Sequence, residues 1–474
     1  MLTLPQEAFA LWARPPAAPL LLMRLFPAFG LVLLCLAAVQ THIRQPQPDL
    51  VVDYFSGLVG YVEPCRCSGN VLGGAARRLT YLSSLKQTAP RRLLLFAGDI
   101  VGGGGLEHEA KGKAAVQFFN IARYDALLAG DADLRYGMSV LNTNAGRTLP
   151  FVCANRDAQP QWAQEHRVFS FALPGRNRPL IVGVSGVSEW VRSADGIQEL
   201  PDQELTACAQ RAVRKLREQC DFVILMVHAD LPVCMKMADA VPGIDLLIAG
   251  HVGSTATQQP IRRGKTIIVA NGDRGRFAAK LELWFTQELK LKEFRNVITE
   301  LSSVFKDHPA VVPAILEYKK RVANWVEAAG PPQTQSPYVG WRVCAKCHKQ
   351  EAEQWLKTRH ARAFETLAKG GQGLNASLPE CLECHTVGSG KPGGYLNRKY
   401  TGHLGGVQCE SCHGEGRRHA ETADQKKPSA HLIKASVPER VCLKCHTSDR
   451  CPNFKYQQAV RLVVHKTLSG TGRP

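Results

Sequence analysis

Four copies of one pentapeptide occupy the last third of this 474-residue chain: Cys344-Ala-Lys-Cys347-His348, Cys381-Leu-Glu-Cys384-His385, Cys409-Glu-Ser-Cys412-His413 and Cys442-Leu-Lys-Cys445-His446. C-x-x-C-H is the attachment pattern for c-type haem: two thiols form thioethers to the porphyrin edge, and the adjacent His supplies the proximal nitrogen to iron. Zinc knuckles use the same cysteine spacing but do not require a His after every second Cys. His makes up only 15 of 474 residues. Four such placements by chance would have odds of roughly one in a million on that composition. The pattern therefore implies four covalently bound c-type haems.

A haem iron can take a second axial ligand from outside its motif. Histidines available in the same region are His360, His403, His419, His431 and His465. Two imidazoles per iron make a low-spin carrier, whereas one leaves an open face for a small ligand. Cys451 follows the last motif closely and has no assigned role.

The rest of the chain must carry these groups. Hydrophobic residues make up 45% and charged residues 21%, as in an ordinary globular protein, and the length suffices for two or three domains. A net charge of +18 would ordinarily suggest nucleic acid or an anionic membrane. Residues 331–474, however, hold 22 Lys+Arg against 11 Asp+Glu, so +11 of the excess lies in the haem-bearing segment. Four haems bring about eight propionates to pair with it. No interleaving of aromatic and basic residues appears, and nucleic acid is not an expected partner.

Residues 18–39 place Met23-Arg24 before an apolar run and small residues, the shape of a secretory signal peptide with Met23 as a candidate start. Left uncleaved, residues 1–40 are long enough to anchor the chain in a membrane. Cys35 follows Leu33-Leu34, a poor lipobox, and is read as an ordinary residue of that segment. The expectation is an exported, periplasmic protein, held at the inner membrane only if the segment remains, with redox proteins there as partners.

From residue 48 to 290, apolar runs (Leu50–Phe55, Leu93–Gly98, Leu180–Val187, Phe222–His228, Ile244–His251, Thr266–Asn271) alternate with helical stretches such as Glu204–Gln219. Continuous apolar runs predict strands buried on both faces of an α/β sheet. Residues 291–337 are expected to form a helix and linker. Val311, Ile315, Tyr318, Val322 and Trp325 lie at amphipathic spacing, and Gly330-Pro331-Pro332 ends the helix. Residues 338–474 lose periodicity and are expected to be mostly α, packed around haem.

Several strand ends carry acids or histidines: Gly98-Asp99, Gly130-Asp131-Ala132-Asp133, Val227-His228 and Gly250-His251. Sites form at the carboxyl ends of strands in such sheets. With Gly73-Gly74-Ala75-Ala76-Arg77 and Asn155-Arg156-Asp157, this order resembles the 5′-nucleotidase branch of the calcineurin-like metallophosphoesterases, an α/β sandwich with two metals about 3.5 Å apart. Against that pattern, Gly57 and Val59 stand where an Asp-x-His pair is expected, Asp131-Ala132 replaces Asn-His, and Gly253 replaces the second His of Gly-His-x-His. Apart from the shared Asp99, the resemblance leaves no ligand for the first metal. Asp99, Asp131, His228 and His251 remain as an O₂N₂ set for one zinc, manganese or iron. Three readings stand for this domain: a docking scaffold, a single-metal hydrolase, or a metal site turned to redox use. Each residue alone is equally consistent with a helix cap or a buried hydrogen bond.

The back segment resembles the cytochrome c-554 family of tetrahaem carriers through Tyr338–His348, Trp355–Ala361, Cys381–Gly394, His403–Gly414 and Cys442–Thr447. That resemblance implies mostly bis-His irons, with one five-coordinate in the founding member, and gives His360, His403 and His419 as distal ligands, His465 less directly. It implies electron transfer as the function; a metal-dependent phosphoesterase with an appended haem module is the alternative. Cys65 and Cys67 could ligate metal, pair with distant cysteines or stand free. Cys153, Cys208, Cys220 and Cys234 read either as disulfide partners or as small buried hydrophobes.

Overall fold

The structure is a computed structural model that describes residues 47–465, apart from 65–70, 144–146, 156–162, 194–195, 254–255, 273, 370, 428, 448–449 and 452. The expected leader segment, Cys35, Cys65, Cys67, Arg156 and Asp157 therefore lie outside the described residues. Residues 48–474 belong to one compact unit. No helix among the described residues is long and apolar enough to cross a membrane.

Among the described residues the front part has thirteen strands: β1 (Leu50–Phe55), β2 (Arg92–Ala97), β3 (Ala126–Leu128), β4 (His166–Phe171), β5 (Leu180–Ser188), β6 (Trp190–Ser193), β7 (Gly196–Glu199), β8 (Phe222–His228), β9 (Leu246–Ala249), β10 (Ile261–Arg263), β11 (Thr266–Ala270), β12 (Phe277–Phe285) and β13 (Leu291–Glu300). One sheet runs β13-β12-β1-β2-β3 and a second β10-β11-β9-β8-β5-β4, with β6-β7 as a small ribbon. Strands β1-β2-β3 and β5-β8-β9-β11 are parallel, and antiparallel strands close every sheet edge except the one formed by β3. The runs read from the sequence are those parallel strands apart from the three-residue β3. Buried on both faces, they are apolar almost throughout; the buried Asp53 of β1 pairs with Arg78.

Alternation along β1 shows the layering. Leu50, Val52 and Tyr54 enter the core between the sheets, while Val51 and Phe55 face a second core under the helices. Six helices matter here: α1 (Ala75–Thr88), α2 (Leu106–Ala122), α3 (Asp131–Tyr136), α4 (Asp202–Arg217), α5 (Leu231–Ala240) and α6 (Val312–Ala328). Helices α1, α2 and α6 cover the first sheet, and α4 and α5 the second. The result is a four-layer α/β/β/α sandwich, the metallophosphoesterase-like fold.

Two expectations shift. The sheet continues past residue 290, because Leu291–Glu300 pairs along β12 where a helix and linker were expected. Lys and Glu interrupt that strand and leave its faces half-exposed, so no apolar run marks it. In α6, Val326 takes the buried stripe and Trp325 is 48% exposed. The 3.6-residue period carries the stripe from Val322 to the residue four positions on.

The back segment is a string of short helices and turns with a small apolar cluster of its own around Tyr338, Leu367, Leu382, Val387, Tyr395 and Leu404. It packs directly on the front part: Leu378 belongs to the core under α2 and α6. Lys111 of α2 pairs with Glu380 at 2.9 Å. Lys319 of α6 pairs with Glu63 and donates to Asn375 Oδ1 at 3.1 Å. Asn397 Nδ2 donates to Val326 O at 3.0 Å.

Candidate functional site

In the back segment, three of the spare histidines face proximal ones. The rings of His348 and His419 have centroids 6.1 Å apart, His413 and His465 6.1 Å, and His360 and His446 6.2 Å. Imidazoles bound on opposite sides of one metal, each nitrogen about 2 Å away, place their centroids roughly 6 Å apart. The gaps thus match one iron each.

The back nitrogens agree. Nδ1 of His385 lies 2.6 Å from Ala363 O, that of His413 2.6 Å from Lys434 O, and that of His419 3.0 Å from Ser429 O. An imidazole that donates from Nδ1 keeps Nε2 free for metal, the usual arrangement behind a ligating His. His465 differs, because its Nδ1 is buried with no hydrogen-bond partner. Burial holds the His360 and His446 rings below the ordinary imidazole range, which favours the neutral form that ligates.

The structure does not bring His403 opposite a proximal histidine. It sits on the turn Gly402–Leu404 with its side chain exposed, and it contributes its carbonyl, which accepts from Gln408 Nε2 at 2.9 Å. Gln408 also donates to Gly405 O at 2.7 Å, so the turn is pinned. His431 is exposed as well. Among the described residues, no ring faces His385 as the other three proximal rings are faced.

Attachment thiols of different motifs also converge. Cys344 faces Cys409, Cys384 faces Cys445, and Cys412 lies near Cys442. Glu410, inside the third motif and 4% exposed, accepts backbone N–H bonds from Val339 (3.0 Å), Gly340 (2.8 Å) and Gly416 (2.8 Å). Gln408 Oε1 accepts from Trp341 N at 2.7 Å. Together they staple the strand entering the first motif to the third. Neither residue stands out in the sequence, because their partners are backbone groups some 70 positions away.

In the front part, Asp99, Asp131, His228 and His251 come together at the carboxyl ends of β2, β3, β8 and β9. One ligand atom from each lies within 4.8 Å of the others. His228 Nε2 is 3.2 Å from Asp131 Oδ1 and 3.6 Å from Asp99 Oδ2; His251 Nδ1 is 3.3 Å from Asp131 Oδ1 and 3.2 Å from His228 Nε2. Glycines make this closeness possible. A Cβ on Gly130 would sit 2.1 Å from Asp99 Oδ1, one on Gly98 2.1 Å from His228 Nδ1, and one on Gly250 1.8 Å from Ala97 O.

His228 is fully buried, and its Nδ1 faces Ala97 O at 3.1 Å, which aims Nε2 into the cluster. Burial opposes its charge, but Asp99 and Asp131 outweigh this and push it up to about 9. Burial also works against the Asp131 charge, yet hydrogen bonds from His228 and His251 hold that carboxyl well below the usual range. Burial raises Asp99. Two imidazoles crowded against two carboxylates hold either protons or a cation, and the donor set fits one divalent metal.

Asp133, the other acid of that strand end, is no ligand. Fully buried, it accepts from the backbone N–H groups of Asp99 (3.0 Å), Val101 (2.9 Å) and Gly130 (3.0 Å), locking the loops that carry Asp99 and Asp131. Asn155 is likewise structural, with Nδ2 donating to Ser188 O at 2.7 Å. Gly57 and Val59 lie in a loop bonded to Gly98 O (2.8 Å) and Asp99 O (2.9 Å), and Val59 is held at a φ of 50°, rare for a β-branched residue. Cys153, Cys208, Cys220 and Cys234 are buried and unpaired, so the small-hydrophobe reading describes them.

Residues 343–414 match the family described as cytochrome c554 and c-prime. Cytochrome c-554 of Nitrosomonas europaea is 33% identical over 136 residues, 23% of this chain and 58% of that protein. Human 5′-nucleotidase is 23% identical over 342 residues, 66% of this chain and 57% of that protein. The chain joins a cytochrome c-554-like segment to a 5′-nucleotidase-like one. It spans less than two thirds of either relative. Among solved structures, a 5′-nucleotidase precursor from Thermus thermophilus superposes with a TM-score of 0.49 at 19% identity, covering 66% of this chain and 67% of that one.

Proposed function

We propose that this protein is an exported tetrahaem electron carrier that works between redox proteins of the periplasm or the inner-membrane surface. The observation that carries this reading is the placing of His360, His419 and His465 opposite three proximal histidines at one-iron spacing. When bound, c-type haem supplies reversible one-electron chemistry at iron. The chain's own part is to hold it. The four Cys pairs would tether it, and His348, His413 and His446 together with His360, His419 and His465 would supply nitrogen ligands to iron. The thiol contacts order the motifs as first, third, fourth and second. This sets the second motif at the front domain, beside α2 and α6, and among the described residues no ring faces its His385. In this reading the front domain is a docking and positioning scaffold. Pyridine haemochrome analysis of the purified holoprotein tests the proposal: four haems per chain are expected, and a colourless product would sink it.

The four-ligand cluster favours a second reading, a single-metal phosphoesterase with an appended redox module. Asp99, Asp131, His228 and His251 would hold the metal, and the metal would supply an activated water. Metal analysis together with turnover of a generic phosphoester separates the two. Metal-dependent turnover abolished by His228→Ala would overturn the scaffold reading.

A further inference from the structure

The fourth motif is supported differently from the second and third. The back nitrogens of His385 and His413 face backbone carbonyls at 2.6 Å, but His446 Nδ1 faces the thiol of Cys451 at 3.4 Å. Cys451 is placed by its own backbone, whose N–H bonds Thr447 O at 2.7 Å. The Phe454 ring lies parallel to that of His446, with centroids 4.4 Å apart and planes 10° from parallel. One residue before Cys451, Arg450 Nη1 reaches the Cys384 thiol of the second motif at 2.9 Å. The same guanidinium lies within electrostatic reach of Cys445 and of Tyr61, which follows Val59 and Gly60 in the loop that has lost its metal ligands. Its acidic neighbour Glu383 is exposed, so solvent screens that charge.

We propose that Arg450, Cys451 and Phe454 act as a potential-setting clamp that makes the centres at the second and fourth motifs the electron-accepting end of the carrier. The physical effects all have one sign. A carbonyl accepting from Nδ1 makes an imidazole a stronger donor to its metal and favours the oxidised iron; a thiol is a weaker acceptor and withholds that push. A guanidinium stays charged at all accessible pH and disfavours the additional positive charge of the oxidised centre. The Phe454 ring keeps water from the face of His446, so this charge is less screened. The reaction concerned is a balanced one-electron exchange, in which a reduced centre nearer the first motif is oxidised as one at the second or fourth is reduced. This inference rests on the haem reading above.

The test is a spectroelectrochemical titration of the intact holoprotein, with the haem count of each preparation measured first. The fourth-motif midpoint is identified by the low-spin signal that His360→Ala removes. Arg450→Gln should lower the midpoints at the second and fourth motifs and leave the other two unmoved, and Arg450→Lys should preserve all four. Cys451→Asp, which supplies an anionic acceptor behind His446, should lower the fourth-motif midpoint alone. Four haems with wild-type midpoints in both Arg450→Gln and Cys451→Asp overturn the clamp and leave the haem reading intact. An equal fall in Arg450→Lys and Arg450→Gln overturns the role of charge. Absence of haem from the wild-type protein overturns the haem reading itself.

Discussion

Replacing His360 with alanine should convert one low-spin iron into one with an open face. The magnitude follows from counting ring pairs. Three proximal histidines have a second imidazole 6.1–6.2 Å away, and His385 has none among the described residues, so the wild-type protein should hold three low-spin irons and one high-spin iron. His360 faces only His446, so its loss leaves two of each, and the low-spin EPR intensity falls by a third while the high-spin intensity doubles. Carbon monoxide gives an independent count: the reduced protein should bind one equivalent before the substitution and two after it. His403→Ala is the internal control. Its ring is exposed on a pinned turn, and neither spectrum should change. A low-spin signal lost from His403→Ala but kept in His360→Ala would falsify the ligand assignment, and the ring spacing behind it would then have nothing to do with iron.

Glu410→Ala should destabilise the back segment by on the order of 3–5 kcal/mol in urea unfolding, because three backbone N–H groups lose a buried charged acceptor; Glu410→Gln, with one acceptor oxygen left, should cost less. Gly130→Ala should empty the front metal site, since the new Cβ would sit 2.1 Å from Asp99 Oδ1; elemental analysis should find the divalent metal gone and the haem iron retained. Burial, then the neighbouring Glu380, pushes Glu107 up to about 7 despite Lys111. A carboxyl raised on folding binds protons more tightly in the folded state, so stability should fall as pH rises from the ordinary carboxyl range to about 7. Glu107→Gln should flatten that slope in thermal unfolding followed across pH.

The motifs of covalent attachment were complete in the sequence because they are local. A thioether pair and its proximal His need five consecutive residues, and no folding is required to see them. The parallel strands were legible for a related reason. Strands buried on both faces are mostly apolar, so β1, β5 and β8 announce themselves, whereas β13 does not, because half of it meets water. The four front-domain ligands could be named because each ends a strand, but only the packing of two sheets put their atoms within 4.8 Å, through glycines whose missing side chains leave the space. Candidate distal histidines could be named from the sequence, but which proximal ring each one meets could not. His403 and His465 look alike as letters, and only the tertiary structure leaves one exposed on a turn and sets the other opposite His413. The same holds for Glu410 and Arg450, whose partners lie about 70 positions away. A chain records its covalent chemistry in neighbouring residues; which imidazole meets which iron is decided by contacts that close only when the whole chain has folded.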